Sequence, residues 1–393
     1  MIGILRYHLM SLWVRRVGTS LSVLSIGMAV GILVLVLSLA RGFELSLSDT
    51  GREDNVLVMR QGASSEGESG ITREKWGILR TYEGVAIDAS GEPMASAEIY
   101  AAMSLDKQGG GTANFPLRGV MPASFRVRDS ARLVAGREFS TGTTEVVVGK
   151  ALLGRVAGCR LGGALEVGGR SWPVVGVIDA HGGAYDSEIW CDVEVFMQVF
   201  RRNIYGITIL RRTEPPAPGA VTLAQDPFRR RLEDDVRLDA KTISEPRYFR
   251  EQAGVLGGAL KFVAAFIAGI MAIGAAFGTA VTLLASLAER RREIGTLLAL
   301  GFRPHHVVLG FLCEATVLGL AGGIVGVLIA LPVNGVATGT MNWTTFTEQA
   351  FAFAITPDVV AVAVVFSTSV GVIAGLLPAL RAARVPPSVA LRG

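Results

Sequence analysis

Four side chains that could ligate a metal ion or act as a general base stand close together in one stretch of the chain. They are Asp179, His181, Asp186 and Glu188. Carboxylates and imidazoles are common metal ligands and proton acceptors. However, this group follows the apolar run 174–178 and contains two glycines, a pattern typical of a turn with solvated charges at the end of a strand. We therefore predict a turn here, with no metal and no catalytic residue.

Sequence motifs of several common enzyme classes are absent. The chain contains no GxSxG, no HExxH and no GxxxxGK[ST]. The last of these forms the loop that holds the phosphates of ATP in P-loop enzymes, so we predict that this chain is not itself an ATPase. No cofactor is predicted. The net charge of +4 is small and gives little support for binding nucleic acid.

A different kind of site is indicated at about 289–301, in the connection between two long apolar segments. The stretch opens with dense charge at 289–293 and continues with apolar residues. Positions i, i+3, i+4 and i+7 of one helix face are occupied by Ile294, Leu297, Leu298 and Gly301. This pattern predicts a short amphipathic helix at the membrane surface. It could dock into a cytoplasmic partner, or rest on lipid headgroups with its arginines extended towards water.

Glu314 is a carboxylate inside an apolar segment. Such a group is costly in a membrane and usually faces a partner inside the helix bundle. A proton or ion pathway is one interpretation. A structural hydrogen bond is the preferred one, because Glu314 stands only about two helical turns from the end of its span.

The composition indicates that these residues belong to a membrane-spanning protein. Half of the 393 residues are hydrophobic and the mean hydropathy is +0.45. Four segments are long enough to cross a hydrocarbon core of about 30 Å as helices. They are 17–40, about 262–287, about 307–333 and about 359–380. The first is too long for the apolar part of a signal peptide, so we interpret it as an uncleaved anchor.

The distribution of Lys and Arg predicts the orientation. Arginines flank the spans in segment 1–16, in the connection between spans two and three, and in the C-terminal tail. The loop Asn334–Pro357 contains neither Lys nor Arg. By the positive-inside rule both termini are cytoplasmic. We predict a multi-pass protein of the inner (plasma) membrane.

The segment 41–254 is predicted to form a large extracytoplasmic domain. Short β-rich runs favour a mixed α/β fold, and Gly168-Gly169 between two of them predicts a two-residue hairpin turn. The polar stretch Gly62–Gly70 is predicted to be a mobile loop. The sequence does not decide whether Cys159 and Cys191 form a disulfide. The fold class is an α-helical membrane protein with four transmembrane helices and this domain inserted between helices 1 and 2. Span two is expected to extend outward as a stalk.

Several motifs resemble those of one family. The sequence ERRREIGTLLALG at 289–301 resembles the coupling-helix signature of FtsX-like permease domains in ABC transporters of the MacB and LolC type. Glu314 with the closely spaced glycines 319, 322, 323 and 326 is similar to the family's third span. The ending at 378–392 resembles the family's P-A-x-x-A…P…A-L-R. Residues 134–139 and 174–178 are similar in pattern to the MacB periplasmic core.

The resemblance implies an FtsX-like permease domain at 255–393 and a permease dimer, either homo- or heteromeric, with a separate cytoplasmic ABC ATPase. In this interpretation ATP-driven closure pushes on the coupling helix and moves the extracytoplasmic domain. The substrate would be hydrophobic, lipid-linked or peptidic, and a periplasmic adaptor is left open. Carried over by position, the ATPase-contacting residues are Glu289, Arg290, Arg291, Glu293, Ile294, Leu297 and Leu298.

Two other functions remain as alternatives. An FtsX-like signal transducer would regulate an extracytoplasmic hydrolase or binding partner without transport. A membrane-anchored enzyme would depend on the Asp179–Glu188 cluster alone. The size of the extracytoplasmic domain favours the permease over the transducer.

Overall fold

The computed structural model describes residues 16–48, 50–216, 222–301 and 303–384, without the side chain of Leu297. The predicted cytoplasmic N-terminal segment and the tail beyond Arg384 lie almost entirely outside these residues. Two compact units are present. The membrane unit comprises the chain up to Arg41, Gly258–Val336 and the chain from Phe353. The inserted domain comprises Gly42–Gly257 and Ala337–Ala352.

The described residues form nine helices and twelve strands. The helices are α1 (Arg16–Ser48), α2 (Arg73–Leu79), α3 (Ser124–Val127), α4 (Val193–Val199), α5 (Pro227–Asp234), α6 (Glu245–Glu289), α7 (Arg291–Ala299), α8 (Pro304–Ala330) and α9 (Pro357–Ala383). The strands are β1 (Asn55–Arg60), β2 (Ala95–Asp106), β3 (Thr112–Val120), β4 (Arg132–Gly136), β5 (Val146–Gly149), β6 (Ala164–Val167), β7 (Arg170–Asp179), β8 (Ile189–Asp192), β9 (Ile207–Arg211), β10 (Ala240–Ser244), β11 (Ala337–Asn342) and β12 (Thr347–Ala352).

Four of the described helices are long and apolar enough to cross a membrane: α1, α6, α8 with the turn that follows it, and α9. The fold class predicted from the sequence is confirmed. Helix α6 is 45 residues long because it begins at Glu245, well before the apolar segment. The first residues of this helix, up to Gly257, belong to the inserted domain.

Small residues determine how α8 and α9 pack. A Cβ on Gly371 would lie 2.5 Å from the carbonyl oxygen of Ala315 and 2.9 Å from the Cα of Gly319. A Cβ on Gly319 would lie 2.6 Å from the carbonyl oxygen of Ser367. The two backbones therefore touch, as expected where hydrophobicity cannot drive helix association in lipid.

The inserted domain is built on a ten-stranded mixed sheet. Its order is β10-β1-β9-β2-β3-β8-β5-β7-β4, with β6 also paired to β7. The β3–β8 and β5–β7 pairs are parallel and the other pairs are antiparallel. Strands β1, β5 and β8 are almost entirely buried. Large aromatic side chains, among them Trp172, Trp190 and Phe196, are fully buried in this domain.

The hairpin predicted at Gly168-Gly169 is confirmed. Val167 pairs with Arg170 across the turn, and the two glycines have φ of +60° and +71°. Positive φ at both central residues is the geometry of a type I′ turn, whose twist matches that of the strands it joins. Cys159 and Cys191 are both free and buried, so no disulfide joins them.

Two segments predicted to be loops take part in the fold of the inserted domain. The stretch Gly62–Gly70 contains Glu66, which is only 4 % exposed and bonded within the domain. The connection Asn334–Pro357 is more than a short loop, because it contains the hairpin β11–β12, which belongs to the inserted domain. Its polar, Thr-rich residues lack the apolar alternation that would have predicted strands.

Candidate functional site

Helix α7 forms the predicted amphipathic segment between spans two and three. It follows α6 after one residue, Arg290, and ends where Gly301 adopts a φ of +91°. The N–H of Gly301 donates to the carbonyl of Leu298, 3.1 Å away. Glycine tolerates this left-handed conformation at a helix end, and Pro304 then begins α8. The sequence thus builds a short helix between two sharp turns.

The apolar face of α7 packs against the protein's own spans. Ile294 is 2 % exposed and belongs to a cluster with Leu287, Phe311 and Ala379 of α6, α8 and α9. Leu298 is partly buried against the same cluster. The backbone of Leu297 lies in α7, but its side chain is outside the described residues. Ile294, one of the residues predicted to contact an ATPase, is thus buried against the protein's own spans, where it anchors α7.

The opposite face of α7 is available to a partner. Exposed positions in and beside the helix are Glu289, Arg291, Arg292, Glu293, Thr296, Ala299 and Leu300. Leu300, a large apolar side chain, is 72 % exposed. A face with charges of both signs and one exposed leucine can meet either a partner protein or lipid headgroups.

Arg290 and Glu314 form an ion pair across two elements. The Nη1 atom of Arg290 lies 3.6 Å from Oε2 of Glu314, and the two side chains are 8 % and 3 % exposed. Arg290 also lies 3.7 Å, through Nε, from Oε2 of Glu293. Glu314 thus faces a partner inside the bundle, and that partner is a charged one. Arg290, predicted to contact an ATPase, instead points inward and joins α7 to α8.

Sequence reasoning assigned Arg290 and Glu314 separate roles. A signal was present, because an intramembrane carboxylate usually has a basic partner and Arg290 stands at the end of the neighbouring span. The spacing in the sequence does not show which of Arg290, Arg291 and Arg292 pairs with Glu314. Burial of Ile294 sets the rotation of α7 about its own axis, and this rotation brings Arg290 to Glu314.

A buried ionic cluster lies within the inserted domain. Arg118 on β3 donates from Nε to Glu188 (2.8 Å) and from Nη1 to Glu66 (2.5 Å) and Glu98 (3.0 Å). Arg128, which ends α3, donates from Nη2 to Glu98 at 2.8 Å. All of these side chains are at most 5 % exposed. No local sequence pattern indicates that these distant residues meet.

The same cluster includes the first residue of α6. Glu245 accepts hydrogen bonds from Arg128 and Tyr185 through Oε1, and from the Asn55 amide (2.8 Å) through Oε2. With Glu66, Glu98 and Glu188 this makes four carboxylates against two guanidiniums. Uncompensated buried charge is costly. A proton held within the cluster therefore stabilises it.

Glu66 is a carboxyl group of this cluster that can hold such a proton. Burial raises its pKa above the ordinary value of 4.5, against the attraction of Arg118. Burial also opposes the charge on Glu98, but Arg128 and Arg118 outweigh burial and lower that pKa. The groups that act on Glu66 include Arg118, Arg128, Glu188 and Tyr248.

These opposite pKa directions predict an optimum pH for stability. The contribution of Glu66 is complete below pH 4.5 and is lost as pH rises through its raised folded-state pKa. The contribution of Glu98 is present above pH 4.5 and is lost as pH falls. In thermal melts from about pH 5 to about pH 9, we expect Glu66→Gln to flatten the alkaline decline. The exposed Glu68→Gln in the same loop is the control, and an equal effect of both variants would contradict this assignment.

Comparison with known proteins identifies the chain. Residues 19–223 match the model of the MacB-like periplasmic core domain, and residues 265–387 match the FtsX-like permease C-terminal model. The first match covers more than half of the chain. The chain belongs to the MacB-type family of ABC transporter permeases.

Relatives of this MacB-type permease match along its whole length. The pyoverdine export ATP-binding/permease protein PvdT of Pseudomonas entomophila is 25% identical over 97% of this chain and 58% of its own length. The macrolide export ATP-binding/permease protein MacB of Bdellovibrio bacteriovorus is 25% identical over 100% of this chain and 62% of its own length. The permease thus spans about three-fifths of these relatives.

Among solved structures, the periplasmic region of MacB from Actinobacillus actinomycetemcomitans is similar to the inserted domain. It is 12% identical, covers 51% of this chain and 92% of its own, and has a TM-score of 0.38.

The Asp179–Glu188 cluster of the MacB-type permease does not converge on one point. Asp179 pairs with Lys150, while Asp186 accepts the N–H groups of Ala180 and Gly182. Glu188 belongs to the buried ionic cluster. Within the described residues no group of three potential ligands could hold a metal ion. The segment is a turn, but Asp186 and Glu188 are buried rather than solvated as predicted, because each binds donors of the domain.

Proposed function

We propose that this chain is a permease subunit in which a cytoplasmic ABC ATPase acts on α7. The resulting movement of the spans would be passed to the inserted domain on the far side of the membrane. The observation that carries the proposal is α7 itself, fixed to α6, α8 and α9 by Ile294 and joined to α8 by the Arg290–Glu314 pair, while Arg291 and Leu300 face outward. A push on the outer face would reach three spans.

The orientation supports this arrangement. The connection between α6 and α8 is arginine-rich, while the connection between α8 and α9 contains no Lys or Arg. By the positive-inside rule, α7 and both termini would be cytoplasmic and the inserted domain would lie on the other side of the membrane. We propose the inner membrane as its location.

Helix α6 supports the transmission step. It runs without interruption from Glu245, in the buried ionic cluster, to Glu289, beside α7. At 1.5 Å per residue it is about 70 Å long. A continuous helix can pass on a displacement without a hinge, so movement at α7 would reach the inserted domain directly.

The partners follow from this mechanism. The relatives are named ATP-binding/permease proteins. We propose that ATP is hydrolysed on a separate subunit and that two permease subunits, identical or not, form the transporter. The substrate class we propose is hydrophobic, lipid-linked or peptidic, and export or extraction is the outcome. A partner on the far side of the membrane would complete the system.

The test is purification of the tagged full-length protein in mild detergent, with mass spectrometry and an ATPase assay of the eluate. We expect a stoichiometric protein that contains GxxxxGK[ST] and hydrolyses ATP. The double variant Arg291→Glu/Leu300→Glu should lose both the partner and at least roughly 90% of the hydrolysis, because two interface residues together contribute a few kcal/mol.

The matched control is Arg381→Glu, an exposed charge reversal in the last turn of α9. It should reach the membrane at the same level and keep its partner. Normal ATPase binding by Arg291→Glu/Leu300→Glu would show that the outer face of α7 is not the docking surface. An ATPase that binds normally but responds only to an extracytoplasmic protein would favour the FtsX-like signal transducer.

A further inference from the structure

A cavity of about 470 Å³ lies among α1, α6 and α8. The first turn of α1, the last turns of α6 and the middle of α8 enclose it. Its polar lining residues are Arg16, Thr19, Thr282, Ser286, Glu289 and Glu314. Its apolar wall includes Leu283 and Leu318. In volume it falls within the range of small-molecule sites.

The cavity contains a buried hydroxyl group with an unmet hydrogen bond. Ser286 is 2 % exposed, and its Oγ has no hydrogen-bond partner among the described residues. Thr282, on the same wall, does bond to the carbonyl of Gly278 at 3.0 Å. A buried hydroxyl group without a hydrogen-bond partner is costly, and a polar ligand atom in the cavity would satisfy it. The position of Ser286 therefore favours a polar ligand atom inside the cavity.

The charges restrict the ligand further. Glu289 and Glu314 place carboxylates on the cavity, and Arg16 places a guanidinium on it. A carboxylate can accept several hydrogen bonds, so the pairing of Glu314 with Arg290 does not prevent it from binding a ligand as well. A ligand that carries both an ammonium and an anionic group would match both signs. The apolar wall requires in addition that the ligand carry a hydrocarbon part.

We propose that this cavity binds the headgroup of an aminophospholipid from the surrounding leaflet. The ammonium would donate hydrogen bonds to Ser286 and Glu314, and the phosphate would lie towards Arg16. A primary ammonium has three N–H donors, whereas the quaternary ammonium of a choline lipid has none. Ethanolamine lipids should therefore bind better than choline lipids.

Such a lipid would act next to the coupling segment. Glu314 contacts both the cavity and Arg290, the residue that joins α7 to α8. Occupancy of the cavity would hold α1, α6 and α8 together at the point where α7 begins. The lipid would thus be a structural ligand of the permease and not its cargo.

The experiment is native mass spectrometry of the full-length protein after exchange into equal mixtures of phosphatidylethanolamine, phosphatidylcholine and phosphatidylglycerol with identical acyl chains. We expect preferential retention of phosphatidylethanolamine. Ser286→Ala should weaken that retention roughly tenfold, as expected for one hydrogen bond to a charged group. In phosphatidylcholine alone, Ser286→Ala should melt no lower than the wild type, since the hydroxyl has no described partner.

The control variant is Ser369→Ala in α9, whose Oγ bonds to the carbonyl of Val365 at 2.7 Å. It should leave lipid retention unchanged. Free glycerophosphoethanolamine is added as a competitor, and full displacement by it would identify a soluble ligand and overturn the lipid assignment. Equal retention of ethanolamine and choline lipids, preference for phosphatidylglycerol, or an unchanged Ser286→Ala variant would each overturn the proposal.

Discussion

Replacing Arg118 by methionine is expected to unfold the inserted domain under conditions in which the wild type is stable. Methionine keeps much of the volume of arginine but leaves Glu66, Glu98 and Glu188 without the guanidinium that binds all three. Removing one partner of a buried ion pair costs about 3–5 kcal/mol, because the remaining charge stays uncompensated. With three carboxylates affected, we expect the loss to reach the upper part of that range.

The measurement is thermal and urea unfolding of the full-length protein in detergent, followed by the fluorescence of the buried tryptophans. Arg137→Met is the matched control, because Arg137 pairs with Glu145 on the surface. Exposed pairs contribute little to stability, so the control should unfold almost as the wild type does. Equal behaviour of the two variants would mean that the cluster does not hold the domain together.

A leucine at position 371 is expected to separate α8 from α9 and to abolish the folded membrane unit. The clash involves backbone atoms, since even a Cβ would lie 2.5 Å from the carbonyl oxygen of Ala315. No side-chain rotation can relieve it. Overpacking usually costs about 1–3 kcal/mol, and contact with backbone should exceed about 3 kcal/mol.

Gly274→Leu in α6 provides the control, because no atom lies within 4 Å of a Cβ built there. Size-exclusion chromatography of the detergent-solubilised proteins distinguishes the two variants. We expect a monodisperse peak from Gly274→Leu and aggregate or no protein from Gly371→Leu. A monodisperse, heat-stable Gly371→Leu protein would show that the α8–α9 contact is dispensable.

The spans and the inserted domain's class could be predicted because their signals are local. A run such as 17–40 has no charge over more than six helical turns, and only a membrane helix explains that composition. The Gly168-Gly169 turn is equally local, since positive φ at two successive residues requires glycine or a residue like it. For both features the physical cause lies within a few residues of sequence.

The buried cluster and the direction of α7 could not be predicted, because both depend on contacts between distant residues. Glu66 stands in a Gly/Ser-rich stretch that reads as solvated, and only the placement of Arg118 on β3 makes its burial favourable. For α7 the amphipathic pattern showed that Ile294 lies on an apolar face. It could not show whether that face meets the spans or a partner.

The hairpin β11–β12 sets an order of events during synthesis. It lies between spans three and four, yet its residues complete the domain that begins at Gly42. Gln349 Nε2 donates to Ser187 Oγ at 3.2 Å, and the N–H of Ala350 donates to the same oxygen at 2.8 Å. Glu348 pairs with Arg155 and Lys107. Because α8 precedes the hairpin in the chain, the inserted domain can reach its final form only after α8 has been synthesised.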